Sequence, residues 1–166
     1  MNVYTILSHL HSINRWLVLI FLVVAIVAAI SRRGSMNIAD AQAGVRAVLP
    51  KGAKQAFIAT HFQLLLGLIL YIAAAAGLSS VGSPYVVMDK EAWAGEGGEI
   101  LRFYSVTHFA WMLAAVVVIS IGYIVAKRSS TSAKASFWIL LGYSTGLLLI
   151  LLNIPWPWRD LAGGWW

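Results

Sequence analysis

His11, Arg15, His61 and His108 are the residues of this 166-residue chain whose types and positions can carry chemistry, because each lies within an otherwise apolar stretch. An ionisable side chain inside a membrane span costs roughly 2.5 to 3.5 kcal/mol on insertion scales, so each must face something other than lipid. His11 and Arg15 are four apart and share one helix face, whereas His9 and His11 are two apart and point in roughly opposite directions. His11 and Arg15 are therefore the expected inward pair, and His9 is expected on another face near the interface. His11 and His108 each fall five or six positions before the middle of their stretches, which places both roughly 8 to 10 Å toward the same membrane face at 1.5 Å per residue. His61 lies on a helix running the other way, and the same arithmetic puts it roughly 8 Å toward the opposite face.

Two histidines at matched depth on the first and third helices of a bundle are what a bis-histidine haem b requires, since its axial ligands approach the iron from opposite sides. Arg15, Tyr104 or Ser105 would then serve the porphyrin edge or its carboxylates. The plain alternative is a histidine that hydrogen-bonds a carbonyl or serine on the next helix. His61 is open to several readings: a second cofactor, a quinone pocket shared with Gln63, a proton relay, or ordinary hydrogen bonds.

The elements that must position these residues are four apolar stretches, at about 4–31, 55–78, 101–126 and 136–154, each long enough to cross a bilayer. Sixty per cent hydrophobic and 11% charged residues mark an integral membrane protein, as does a mean hydropathy of +0.80. The first stretch is expected to be retained rather than cleaved as a signal, because it lacks a basic start and carries Arg15 in mid-span. Ala73 to Gly77 offers a small-residue surface for close helix packing.

Arg32, Arg33, Arg46, Lys51 and Lys54 follow the first stretch, and Lys127, Arg128 and Lys134 follow the third. Asp89, Glu91, Glu96 and Glu99 dominate the connection between the second and third, which also contains Pro84. The positive-inside rule places both basic connections in the cytoplasm and both termini outside. It also accounts for the net charge of +6 without nucleic acid, for which no binding motif is present. The expected fold is all-α, an up-down four-helix integral membrane bundle forming one domain over 1–166. Pro155 and Pro157 end the last helix, and Trp156, Trp158, Trp165 and Trp166 suit a membrane interface or, as the sharper reading, a pocket.

No cysteine is present, which excludes disulfides, thiolate-held clusters and covalently attached haem. No nucleophile triad, P-loop or metalloprotease helix occurs, and the acids lie outside the apolar stretches. Three functions remain: a haem b protein exchanging electrons with quinone or quinol, alone or within a respiratory assembly; a haem-free accessory subunit; and a histidine-lined metal or proton transporter or sensor.

The runs HLHSINRWLVLI (9–20), HFQLLLGLILY (61–71), RFYSVTHFAWMLAAVVVISIGYIVAKR (102–128) and LILLNIPWPWR (149–159) together resemble the small four-helix bacterial membrane proteins labelled cytochrome b-like. The resemblance covers nearly the whole chain in the same order. It implies a haem b electron-transfer protein of the bacterial inner membrane, with His11, Arg15, His61 and His108 as the positions of interest. At Thr107, just before the third-span histidine, such proteins are expected to carry an acid, so this chain lacks a carboxylate partner there.

Overall fold

The computed structural model describes residues 2–34, 49–78, 88–159 and 161. Arg46, Pro84, Trp165 and Trp166, named above, lie outside them. The described chain is helical: α1 (Val3–Gly34), α2 (Ala53–Ala75), α3 (Lys90–Ala94), α4 (Gly98–Arg102), a π-helical turn (Phe103–Thr107), α5 (His108–Arg128), α6 (Ser132–Asn153) and a final 3-10 turn (Pro157–Arg159). α4, the π turn and α5 run on as one helix from Gly98 to Arg128. With α1, α2 and α6 it makes four helices long and apolar enough to cross a membrane. This is a multi-pass membrane protein.

The ends of the spans follow from local chemistry. α2 stops at Ala75, three residues before the expected end, because Gly77 takes a left-handed conformation (φ 73°). The Leu78 N–H then bonds the Ala73 carbonyl at 2.9 Å and the Gly77 N–H bonds that of Ala74 at 3.1 Å, the terminus that a glycine just past a helix allows. α6 begins four residues early because the Thr131 hydroxyl accepts from the Lys134 N–H at 3.2 Å. α4 starts against α3, where a side chain at Gly98 would collide with the Trp93 carbonyl.

The spans pack in a ring in which α1 meets α2 and α6, and α5 meets α2 and α6, leaving α1 and α5 diagonal. Large apolar side chains point outward, Ile20 and Val27 on α1, Leu65 and Ile72 on α2, Ile121 on α5 and Leu148 on α6. The interior is largely alanine: Ala25, Ala29, Ala56, Ala115, Ala126 and Ala135 are fully buried. Lipid tails are as apolar as leucine, so close backbone approach rather than hydrophobicity selects the inside of such a bundle. A close backbone approach joins α5 to α6, where a Cβ on Gly142 would lie 2.9 Å from the Gly122 Cα. Of the Ala73–Gly77 run, only Ala74 is buried, so that surface is not where the helices meet closely.

Candidate functional site

Helix polarity brings the first half of α1, the last half of α2, the start of the third span and the end of α6 to one end of the bundle. There they enclose a cavity of about 280 Å3. His11, Arg15 and Tyr4 line it from α1, Gly67 and Tyr71 from α2, Tyr104 and His108 from the third span, and Ile150 on α6 with Ile154 just after it. His11 and His108, expected at one depth on diagonal helices, thus face one space. Arg15 joins them, one helical turn after His11.

The two imidazoles are held differently. His108 Nδ1 lies 2.9 Å from the Asn153 carbonyl oxygen. A carbonyl only accepts, so Nδ1 carries the proton and the neutral ring keeps its lone pair on Nε2. That is the arrangement in which a histidine serves as a metal ligand, the far N–H being fixed by a carbonyl. Among the described residues, the buried His11 Nδ1 has no hydrogen-bond partner. The His11 ring sits in a recess that Gly67 leaves open, where a Cβ at residue 67 would come within 3.1 Å of His11 Cε1.

The backbone of His11 is fixed from α2. Gln63 Nε2 donates to the His11 carbonyl at 2.9 Å, while Asn14 Nδ2 donates to Gln63 Oε1 at 2.7 Å and to the Ala59 carbonyl at 3.0 Å. Asn14 is buried at 6% exposure, so this bridge operates away from water, where an unmet amide is costly. Periodicity alone shows only that Asn14 and Gln63 lie in apolar stretches. The pairing depends on how α1 and α2 align along their length.

The π turn is the other feature that hydropathy does not reveal. The His108 N–H bonds the Phe103 carbonyl, five residues back. One extra residue in a turn shifts helical phase by about 100°, and such turns gather at functional sites. The Tyr71 hydroxyl donates to the Ser105 carbonyl at 3.0 Å, and Tyr71 packs on Phe109 with ring centres 4.8 Å apart. Of the three groups considered for a cofactor edge, Arg15 and Tyr104 line the cavity and Ser105 is buried apart from it.

His61 is not part of this site. Its Nδ1 donates to the Phe57 carbonyl at 2.8 Å, its Nε2 lies 3.3 Å from Ser120 Oγ on α5, and its ring packs against Phe57 with centres 4.1 Å apart. Nδ1 is thus engaged within α2, and Nε2 is the nitrogen that reaches α5. His9 is exposed on the outer face of α1. Trp156 and Trp158 stack with centres 4.9 Å apart beside the end of α6 and do not line the cavity.

Comparison of the chain with family models, curated proteins and solved structures finds no match. Among the described residues no group of three or more His, Cys, Asp or Glu is placed to hold a metal ion. Two imidazoles are an incomplete set for a bare ion.

Proposed function

We propose that this chain is a haem b electron-transfer protein of a bacterial cytoplasmic membrane, exchanging single electrons with a quinone or quinol or with a partner in a respiratory assembly. The observation that carries the reading is the meeting of His11 and His108 on diagonal helices at one cavity, with His108 Nδ1 tied to a carbonyl and its Nε2 lone pair left over. The resemblance to cytochrome b-like membrane proteins points the same way.

The residues fit the group in three respects. His11 and His108 supply two nitrogens, and the Gly67 recess admits the His11 ring. Arg15 and Tyr104 offer a cation and a hydroxyl to carboxylates, and Val18, Leu64, Met112 and Ile150 complete an apolar wall. The cavity, at about 280 Å3, is near the lower limit of ligand pockets, about 300 Å3. When bound, haem b supplies the one-electron couple. His11 and His108 would hold its iron, with the His108 ring steadied by the Asn153 carbonyl.

The positive-inside rule sets the orientation in this reading. Arg32, Lys51, Lys54, Lys127, Arg128 and Lys134 all lie at the bundle end away from the cavity, so that end is cytoplasmic and the cavity and termini lie toward the periplasm. The test is a pair of oxidised and dithionite-reduced visible spectra of the detergent-purified protein, with a pyridine haemochrome to count haem. A sharp reduced α band with stoichiometric haem b is expected. A folded, colourless protein that stays colourless when haem is added back overturns the reading in favour of a haem-free accessory subunit.

A further inference from the structure

The end of α6 is capped by the segment that follows it. A helix leaves its last four carbonyls without intrahelical donors, and in a membrane each must be met by something else. In α6 the carbonyl of Ile150 takes the Ile154 N–H at 2.9 Å. The next two are met by side chains of the segment that follows, Leu151 by the Trp156 indole N–H at 3.0 Å and Leu152 by Arg159 Nη1 at 2.7 Å. The fourth, Asn153, receives His108 Nδ1 from the neighbouring helix.

Two prolines determine that allocation. If α6 continued, the Leu151 carbonyl would take its hydrogen bond from residue 155 and the Asn153 carbonyl from residue 157. Both positions are proline and carry no N–H. Arg159 also donates to the Ile154 carbonyl at 3.3 Å and lies over the Phe103 ring at 5.6 Å, and Phe103 in turn lies 5.7 Å from the His108 ring. The segment thus caps α6 and braces the π turn that leads into His108.

We propose that the segment 154–159, through Pro155, Pro157 and Arg159, is the positioning element for His108. It keeps the Asn153 carbonyl clear of backbone donors, so that this oxygen holds His108 Nδ1–H and leaves Nε2 available to a ligand in the cavity. Pro155, Pro157 and Arg159 touch no ligand in this scheme and act through His108 alone. The ligand role of Nε2 rests on the function proposed above; the hold on the ring does not.

The test reads the His108 tautomer directly, by nitrogen NMR of histidine-labelled full-length protein in lipid bilayers, expressed without haem precursor and assigned against His108→Gln. The wild type should show Nδ1 protonated and Nε2 bare. The double variant Pro155→Ala/Pro157→Ala restores both backbone donors. It should lower the ratio of Nδ1–H to Nε2–H about fivefold, the size expected for one ordinary hydrogen bond. Asn153→Ala removes only the side chain, which bonds the Leu149 carbonyl, and should leave the ratio unchanged. Should the double variant fail to fold by circular dichroism, Arg159→Gln should shift the ratio in the same direction by less, with Arg159→Lys restoring it.

An unchanged ratio in a folded double variant, or a bare Nδ1 in the wild type, overturns the proposal. The same proteins expressed with haem precursor separate the two readings. A tautomer shift in a chain that never takes up haem supports the positioning role and overturns the haem assignment. Full haem loading with an unmoved tautomer does the reverse.

Discussion

Toward the connection at 129–131, α5 and α6 approach so closely at Gly122 and Gly142 that a single methyl group would strike the opposite backbone. At the other end of the bundle, the same two helices join α1 and α2 around about 280 Å3 of space. The closed part is held by alanines, by glycine contacts and by the buried Tyr143 hydroxyl, which donates to the Ala53 carbonyl at 2.6 Å. The open part uses longer reaches, Gln63 to the His11 carbonyl, Tyr71 to Ser105 and His108 to Asn153. Histidines occur in both, and the contrast shows how to separate them. His61 has Nδ1 tied within its own helix and Nε2 set against Ser120 of α5, as a fastening would. His11 and His108 each bring a ring to the cavity, where His108 Nε2 has no hydrogen-bond partner among the described residues.

The sharpest way to break this comparison is to remove the histidines one at a time. His11→Ala and His108→Ala should each abolish the reduced α band, whereas His61→Ala should retain it and lose at most about 1 kcal/mol of stability, the range of hydrogen bonds between membrane helices. Loss of the band with His61→Ala alone would reverse the assignment of the two ends.

Next in size is Gly67→Leu, which fills the recess beside His11 without touching the α5–α6 contact. Haem content should fall by most of its value while the detergent melting temperature moves little. Equal haem content would mean that the recess is incidental.

Gly142→Ala should act in the opposite way. Overpacking costs typically about 1 to 3 kcal/mol, and a Cβ at 2.9 Å from the Gly122 Cα has only backbone to displace. Thermal unfolding in detergent should show the loss, with spectral position unchanged in the protein that remains folded. The smallest effect expected is that of Gln63→Leu, about 1 kcal/mol, because it frees the His11 carbonyl and one Asn14 contact. Its diagnostic is a shift in midpoint potential larger than that caused by His61→Ala, which potentiometric titration measures.

The four spans and the shared depth of His11 and His108 were legible in the chain because helix rise converts residue spacing into distance along a bundle. The pairing of His11 with Arg15 was legible because four residues return a helix to the same face. Span ends were less so: α2 ends early at Gly77 and α6 begins early at Thr131, each by a local cap that hydropathy does not weigh.

By itself, then, the sequence determined which segments cross the membrane, which histidines lie at one level and that α6 must end before its prolines. Those properties depend on hydropathy, rise per residue and the missing proline N–H, all local to a segment. Only the tertiary structure decided that Asn14 meets Gln63, that His61 fastens α2 to α5, and that the carbonyl left over at Asn153 goes to His108. Each of these joins residues 45 or more positions apart, so it depends on the rotation and axial offset of one helix against another. In this alanine-rich bundle those are set by where backbones can touch and by a π turn that shifts the phase of the third span just before its histidine.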